Sequence, residues 1–326
     1  MDLVDSFGRV VRDLRVSVTD RCNFRCTYCM PVEGMVWEPR EALLTFEEIS
    51  RVVDVFTRLG VEGVRLTGGE PTVRAHLPVL VARLAALPNR PELAMTTNGA
   101  TLRLVAEDLR AAGLDRLNIS CDSLRRERFA EITHRDALPA VLDGITAAQE
   151  AGFASIKINC VLMRGVNDDE ILDFARFGRE HNVGVRFIEF MPLDAQHGWQ
   201  RTAVVQSDEV VEQISVMFPI EAVDHGPEPA TRFRYLDGGG EFGVIASVTK
   251  PFCGSCDRVR ITADGQFRTC LFALEETDLR AILRGGGTDD DLEAAIRTAV
   301  AGKWAGHSIG QVTFIQPRRS MSQIGG

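Results

Sequence analysis

The 326-residue chain predicts an α/β fold: an incomplete (βα)6 barrel followed by a smaller α+β C-terminal domain. Three observations carry that expectation. Short apolar runs alternate with amphipathic helical stretches between residues 14 and 190, glycines punctuate the helix ends, and past residue 195 the alternation gives way to closely spaced strand-like pieces. Repeated βα alternation implies a parallel sheet with right-handed crossovers, and six units are too few to close an eight-stranded barrel.

The strand candidates are Leu14 to Thr19, Val61 to Thr67, Leu93 to Thr97, Leu117 to Cys121, Ile156 to Leu162 and Val185 to Phe190. Phe46, Ile49, Val53, Phe56 and Leu59 recur at helical spacing behind Thr45, and Glu48 three residues on completes a capping box. Further helices are expected at about 76–86, 102–112, 125–133, 138–150 and 168–181, the last with Asn167 as its N-cap. Gly60, Gly113, Gly152 and Gly184 stand where helices should end. Beyond a boundary placed near 200, dividing 1–200 from 201–326, the pattern predicts a helix at 207–218 and a Pro/Gly-rich link at 226–229. Strands follow near 231–236, 242–248, 258–262 and 266–270, then helices near 276–284 and 289–302. The terminal Gln323-Ile324-Gly325-Gly326 has too little apolar content to fold by itself.

A hydrophobic fraction of 45% and a charged fraction of 25% suit a soluble globular protein. No apolar run approaches the roughly 18 residues that span a bilayer, and the N-terminus does not resemble a secretory signal. A cytoplasmic enzyme without membrane contact is expected. The net charge of −9 argues against nucleic-acid coating, so an anionic ligand would have to be held by local arginines and lysines.

Eight cysteines in such a chain point to metal or redox chemistry more than to disulfides. Cys121 and Cys160 stand alone in apolar segments and read as small buried hydrophobes. The other six form two sets of three: Cys22, Cys26 and Cys29, then Cys253, Cys256 and Cys270. In Cys-x3-Cys-x2-Cys, three soft thiolates share one tight loop, with no fourth Cys or His nearby to complete a zinc tetrahedron. A 4Fe–4S cubane on three thiolates keeps one iron open. The second set also lacks the further close pair of a zinc ribbon. His134, His181, His197, His225 and His307 show no metal-pair spacing and receive no catalytic part.

In a parallel βα architecture ligands gather on the loops after the strands. The first cysteine set follows strand one there, Gly68-Gly69-Glu70-Pro71 strand two, Asn98-Gly99 strand three, Asp122-Ser123 strand four and Met191-Pro192 strand six.

Cys22-Asn23-Phe24-Arg25-Cys26-Thr27-Tyr28-Cys29 resembles the defining motif of the radical S-adenosylmethionine (SAM) superfamily, and Gly68-Gly69-Glu70-Pro71 its second motif. That resemblance implies a 4Fe–4S cluster, SAM at the open iron, Tyr28 against adenine, and a 5′-deoxyadenosyl radical. Phe252 to Arg260 and Cys270 resemble a narrower family over nearly the whole chain, the GTP 3′,8-cyclases of molybdenum cofactor biosynthesis. It implies a second 4Fe–4S cluster on Cys253, Cys256 and Cys270, GTP contacts at Arg15, Arg65, Thr96, Lys157, Arg258 and Arg260, and SAM contacts at Gly69, Ser120 and Met191. Cys22, Cys26, Cys29, Arg258 and Arg260 carry the catalytic roles. Asp257 departs from the Asn associated with the pattern. The resemblance further implies an electron donor, a homodimer, cyclic pyranopterin monophosphate synthase as the downstream enzyme, and a Gly-Gly tail that reaches the active site. Two other functions fit the residues: a peptide-modifying radical SAM enzyme with an auxiliary cluster, and a zinc-stabilised nucleotide-binding module.

Overall fold

The apolar runs in the first two thirds of the chain become six parallel strands. In the computed structural model, which describes every residue except 1, 32, 34, 195–197, 224, 225, 227 and 326, these are β1 (Asp13–Ser17), β2 (Gly63–Thr67), β3 (Glu92–Thr97), β4 (Arg116–Ser120), β5 (Ile156–Leu162) and β6 (Gly184–Glu189). They lie side by side in chain order. Between them run α1 (Phe46–Arg58), α2 (Leu77–Ala85), α3 (Ala106–Ala111), α4 (Arg126–Thr133), α5 (Leu138–Glu150) and α6 (Ile171–Glu180). The capping box that opens α1 is formed in both directions, Thr45 Oγ1 to the Glu48 amide and the Glu48 carboxylate to the Thr45 amide.

Period-two alternation sorts the strand side chains onto two faces. Leu14, Val16, Val64, Leu66, Leu117, Ile119, Ile158 and Cys160 are at most 1% exposed and pack in one core with the apolar stripes of the helices. Arg15, Arg65, Asn118 and Lys157 project to the opposite face, the barrel interior.

The remaining elements are α7 (Ser207–Met217), β7 (Ile220–Val223), β8 (Thr231–Tyr235), β9 (Glu241–Ile245), β10 (Arg258–Ile261), β11 (Gln266–Arg268), β12 (Thr277–Asp278), α8 (Leu279–Arg284), α9 (Asp289–Ala301) and α10 (Met321–Ile324). They extend the barrel sheet at both edges. β10 pairs in parallel with β1, β9 in parallel with β6, and the order is β12-β11-β10-β1-β2-β3-β4-β5-β6-β9-β8-β7.

Three local expectations need correction, and a fourth, on the tail, is consistent with the fold. Asn167 makes no capping bond; it is fully buried and spans two strand ends, its Nδ2 donating to the carbonyls of Asp122 (2.7 Å) and Val161 (2.9 Å) and its Oδ1 accepting from Met163 N at 2.8 Å. The stretch 102–112 breaks at Val105 into a 3-10 turn and α3. Gly60, Gly113 and Gly152 adopt the left-handed backbone that ends a helix, whereas after α6 Asn182 does so and Gly184 already opens β6. The tail, expected to be unable to fold alone, forms α10 against the rest of the protein, with Ile324 fully buried beside Leu193 and Phe272.

Candidate active site

Cys22, Cys26 and Cys29 lie on the loop after β1, all of them free, partly buried thiols. Phe24 pins that loop, packing edge-on against Phe129 of α4 with ring centroids 5.8 Å apart. The amides of Arg25 and Thr27 donate to the last carbonyls of α4, those of Thr133 and Ile132. From below, Gly69 N donates to Thr19 O at 2.7 Å and Glu70 N to Arg21 O at 2.8 Å. A Cβ on Gly69 would stand 2.2 Å from Arg21 O, and one on Gly68 2.3 Å from Thr19 O. Only glycine permits so close a backbone approach, so the Gly-Gly pair fixes the cysteine loop against the strand-two turn.

Burial pushes Cys22 up to about 11 and Cys29 up to about 12, and lifts Cys26 well above the usual thiol range. Nearby carboxylates, Glu70 at Cys22 and Asp122 at Cys26 and Cys29, add to it. A metal that binds here must displace those protons. Three soft donors in a dry loop fit a cubane, which offers each thiolate an iron of its own.

Glu70 is the hub beneath this loop. Only 1% exposed, its carboxylate accepts from Thr72 N (3.0 Å), Thr72 Oγ1 (2.7 Å), Thr97 Oγ1 (2.7 Å) and Asn98 N (2.6 Å). Asn98 in turn donates to Asn23 Oδ1 at 2.7 Å, inside the cysteine loop. On the other side Tyr28 donates its hydroxyl to Asp122 Oδ2 at 2.7 Å, while Asp122 Oδ1 accepts from Val161 N at 2.8 Å. Burial pushes the Asp122 carboxyl up to about 6 against those two bonds. The sequence had marked both loops by position, but not these bracing roles. A buried carboxylate that accepts backbone amides leaves no local pattern.

Strand register arranges the basic side chains in rows. Arg268, Arg260, Arg15 and Arg65 are successive partners across β11, β10, β1 and β2; Ala94 and Arg116 continue the row onto β3 and β4. A second row runs Thr96, Asn118, Lys157 and Gly184, and a third Ser120, Asn159, Arg186, Gly243 and Arg232. Asn118, with its amide oriented to suit its neighbours, accepts from Arg65 Nη1 at 3.2 Å. Arg268 is occupied by Glu276 and two carbonyls, Arg186 by Glu241 and Arg116 by Glu92. The Nε of Arg15, Arg65, Arg116, Arg258 and Arg268 is buried with no hydrogen-bond partner among the described residues. Arg116 and Arg268 nonetheless bond carboxylates through their Nη atoms, whereas Arg15, Arg65 and Arg258 have no carboxylate within hydrogen-bond reach among the described residues. Burial and like charges pull Arg15 well below its usual range, Arg260 down to about 10 and Lys157 down to about 8. Such a lining is built for a polyanion, because buried donors without an acceptor are costly. Of the residues expected from the sequence, Arg15, Arg65, Thr96, Lys157, Arg258 and Arg260 lie on this face; Asn118 and Arg186, which sequence reasoning did not name, share it and had no signal but inward parity on their strands.

Cys253, Cys256 and Cys270 meet at the edge of this basic face, again as free thiols. Arg258 stacks on Phe252, 4.5 Å from its centroid, and its Nη2 reaches Cys256 Sγ at 3.5 Å. Burial raises Cys256, but the charges of Arg258 and Lys303 and the Arg258 bonds outweigh it and bring the thiol below its usual range. An anionic, thiolate-bound cluster suits this pocket as well. His307 bonds Ser247 O at 3.0 Å, His134 ends α4 and His181 ends α6; His197 and His225 lie outside the described residues.

The C-terminus enters between the two cysteine sets. Ser17 Oγ donates to Ile324 O at 3.2 Å, and Arg260 Nη1 donates to Gly325 O at 2.6 Å. Met191 packs beside Met321 and Ile324 of this tail. Gly326 lies outside the described residues.

Two family models match: Radical SAM superfamily over residues 16–178 and Molybdenum Cofactor Synthesis C over residues 183–309. The GTP 3′,8-cyclase of Streptomyces coelicolor is 52% identical over 328 residues, covering 99% of this chain and 96% of that protein. That of Mycolicibacterium smegmatis is 49% identical over 331 residues, covering 99% and 92%. Among solved structures, Streptococcus suis SuiB bound to S-adenosylmethionine superposes with a TM-score of 0.61 at 14% identity, over 90% of this chain and 69% of that one, a likeness of fold. The three-cysteine loop, the Gly-Gly cradle beneath it and near-full-length identity of about one half all agree: the chain belongs to the GTP 3′,8-cyclase family of radical SAM enzymes.

Proposed function

We propose that this radical SAM enzyme of molybdenum cofactor biosynthesis converts GTP to (8S)-3′,8-cyclo-7,8-dihydroguanosine 5′-triphosphate inside the barrel, between its two cysteine sets. The observation that carries the assignment of substrate and site is the row of Arg260, Arg15 and Arg65 on adjacent strands, a concentration of positive charge without matching carboxylates in hydrogen-bond reach among the described residues, which suits a polyanion. Cys22, Cys26 and Cys29 would hold the SAM cluster, and Cys253, Cys256 and Cys270 the second cluster. When bound, these clusters and SAM supply the 5′-deoxyadenosyl radical that removes the ribose 3′ hydrogen and an open iron for the guanine.

The chain's own residues do the rest by position. Arg15, Arg65, Arg258, Arg260 and Lys157 grip the triphosphate through charge-assisted bonds, with Thr96 and Asn118 beside them. Gly69, Ser120, Met191 and Tyr28, the last steadied by Asp122, receive SAM. Tail residues Ile324 and Gly325 close the lumen and exclude water from the reactive carbon. The functional division of the chain falls near residue 200, with 1–200 carrying the SAM site and 201–326 the second cluster. Eight free cysteines support a reducing compartment, and we place the enzyme in the cytoplasm. Its product would pass to cyclic pyranopterin monophosphate synthase, its electrons would come from a separate reductant, and it would work as a homodimer.

Anaerobically reconstituted protein, reduced and given SAM and GTP, should form 5′-deoxyadenosine and the cyclised nucleotide in equal amounts. Formation of 5′-deoxyadenosine with no nucleotide product would overturn the substrate assignment.

A further inference from the structure

Lys303, just past the end of α9, is 3% exposed. An ammonium has three donors. Here they reach Cys256 O at 2.9 Å, Arg258 O at 2.9 Å and Cys256 Sγ at 3.9 Å. Lys303 has no salt bridge to a carboxylate among the described residues; its acceptors are two neutral carbonyls and one sulfur. Burying an ammonium without an anion is expensive. Asp5, Asp257 and Cys270 act on Lys303 only through space; the anionic group its ammonium touches is the Cys256 thiolate and whatever that thiolate holds.

Its neighbour Arg9 shows the contrast. Arg9 also braces the second cysteine loop, donating to Cys253 O at 2.6 Å, yet its charge is matched by Asp5, whose Oδ2 lies 2.6 Å from Arg9 Nε. The clamp that needs no charge has its carboxylate, whereas the one that touches sulfur lacks it.

The two cysteine sets consequently sit in opposite fields. Around Cys22, Cys26 and Cys29 the carboxylates Glu70 and Asp122 raise the thiols; the cation Arg25 bonds the Cys22 carbonyl at 2.7 Å, while the polar contacts to Cys22 Sγ come from the neutral Phe24 N and Asn98 Nδ2. Around Cys256 they are the cations Arg258 and Lys303, both aimed at the sulfur. Hydrogen bonds to sulfur and local charge are among the terms that set an iron–sulfur potential, and a nearby cation favours the form that carries one more electron.

We infer that Lys303 is a positioning and tuning residue for the C-terminal cluster: its buried ammonium holds the Cys256–Arg258 turn and makes this cluster easier to reduce. The inference rests on the assignment of a cluster to Cys253, Cys256 and Cys270.

The test is a potentiometric titration of the full-length reconstituted chain, followed by the electron paramagnetic resonance signals of the two reduced clusters. Lys303→Gln keeps donors but removes the charge, and Lys303→Arg keeps the charge. In Lys303→Gln the reduced-to-oxidised ratio of the C-terminal cluster at fixed potential should fall about tenfold, equivalent to 59 mV for a one-electron couple. The N-terminal cluster should not move, and Lys303→Arg should stay within about twofold of the parent. An unmoved C-terminal potential in Lys303→Gln, equal shifts of both clusters, or loss of the second cluster's iron in that variant would each overturn the inference, the last by reducing Lys303 to a folding clamp. Failure of the cluster assignment looks different: the unaltered chain would bind about four irons instead of about eight and show one signal, before any variant is made.

Discussion

Arg15 and Arg260 are register partners across β1 and β10, a partly buried guanidinium beside a buried one, and Arg15 Nε is buried with no hydrogen-bond partner among the described residues. The nearest carboxylate oxygen recorded for it, Asp13 Oδ1, is 3.8 Å away, too far for a hydrogen bond. Without ligand the pair is an electrostatic cost that the fold carries for the sake of binding.

Replacing Arg15 should therefore separate stability from affinity. Arg15→Met should leave the unliganded melting temperature unchanged or raised, because burial and the charge of Arg260 both oppose the native guanidinium. GTP binding should weaken by about 2 kcal/mol, roughly thirtyfold, the worth of a charge-assisted contact. Calorimetric unfolding with and without GTP measures both. A lower unliganded melting temperature with unchanged GTP affinity would make Arg15 a structural residue.

Lys157 gives the pH dependence. Burial pulls its ammonium down to about 8 from 10.5, so between those values the folded chain binds fewer protons than the unfolded one and stability rises with pH across that window. Ligand affinity has the opposite sign. The triphosphate needs the charged form, so GTP affinity should hold below about pH 8 and decline above it, approaching tenfold per unit. Lys157→Arg should flatten the decline, and binding isotherms from pH 7 to 10 would show it. The same slope in Lys157→Met would assign the decline to another group.

Tyr28 and Asp122 allow a test that keeps the aromatic ring. Tyr28→Phe loses the 2.7 Å hydroxyl bond and leaves the raised Asp122 carboxyl with the Val161 amide still donating, a change worth about 1–2 kcal/mol. Adenine stacking should survive while SAM binding weakens up to about tenfold. Asp122→Asn in the same background should cost little more, since the pair acts as one unit. SAM affinity measured on the single and double variants decides this; additive losses would mean that the two residues act separately.

The barrel half was legible because each β1–β6 strand carries its own signal: apolar residues at alternate positions, then helical spacing, then a glycine or other left-handed residue at the turn. What stayed hidden depends on partners distant in sequence. Nothing local in Arg258 to Ile261 announces that this strand pairs with Asp13 to Val16, yet that pairing completes the arginine row. Arg186 and Lys303 were passed over for a similar reason. A lone cation in a strand or loop is usually a solvated one, and only the fold shows that these two are 3% exposed. The tail's seat was legible only through the family resemblance, as two terminal glycines carry no side chain whose pattern could predict a docking site.

The Gly-Gly cradle should be selective for one cluster. Gly69→Ala would force a Cβ to within 2.2 Å of Arg21 O, displacing the loop that bears Cys22 to Cys29 and leaving the C-terminal cysteines untouched. Reconstituted protein should then carry about four irons instead of about eight, with the C-terminal signal intact. Loss of both clusters would indicate general misfolding, and retention of both would show that the loop tolerates the shift.

Gly325 is the sharper test of the tail, because its contacts allow a rescue. Its φ of +88° already disfavours any side chain, and a Cβ there would meet Ser17 Oγ at 2.3 Å and Thr67 Cγ2 at 2.9 Å. Gly325→Ala should therefore unseat the tail and lower turnover by about tenfold or more as water enters the lumen, while iron content stays unchanged, since no cluster cysteine lies on the tail. Removing the obstacle should restore part of the loss. In Ser17→Gly/Gly325→Ala the closest contact is gone but the positive φ and the Thr67 methyl remain, so recovery should be incomplete, with a coupling of about 1 kcal/mol between the two sites. Turnover of the four proteins in the cycle gives that coupling directly. If the double variant were no faster than Gly325→Ala alone, the tail would not rest against Ser17 during the reaction, and the closed lumen would not be the state in which GTP is cyclised.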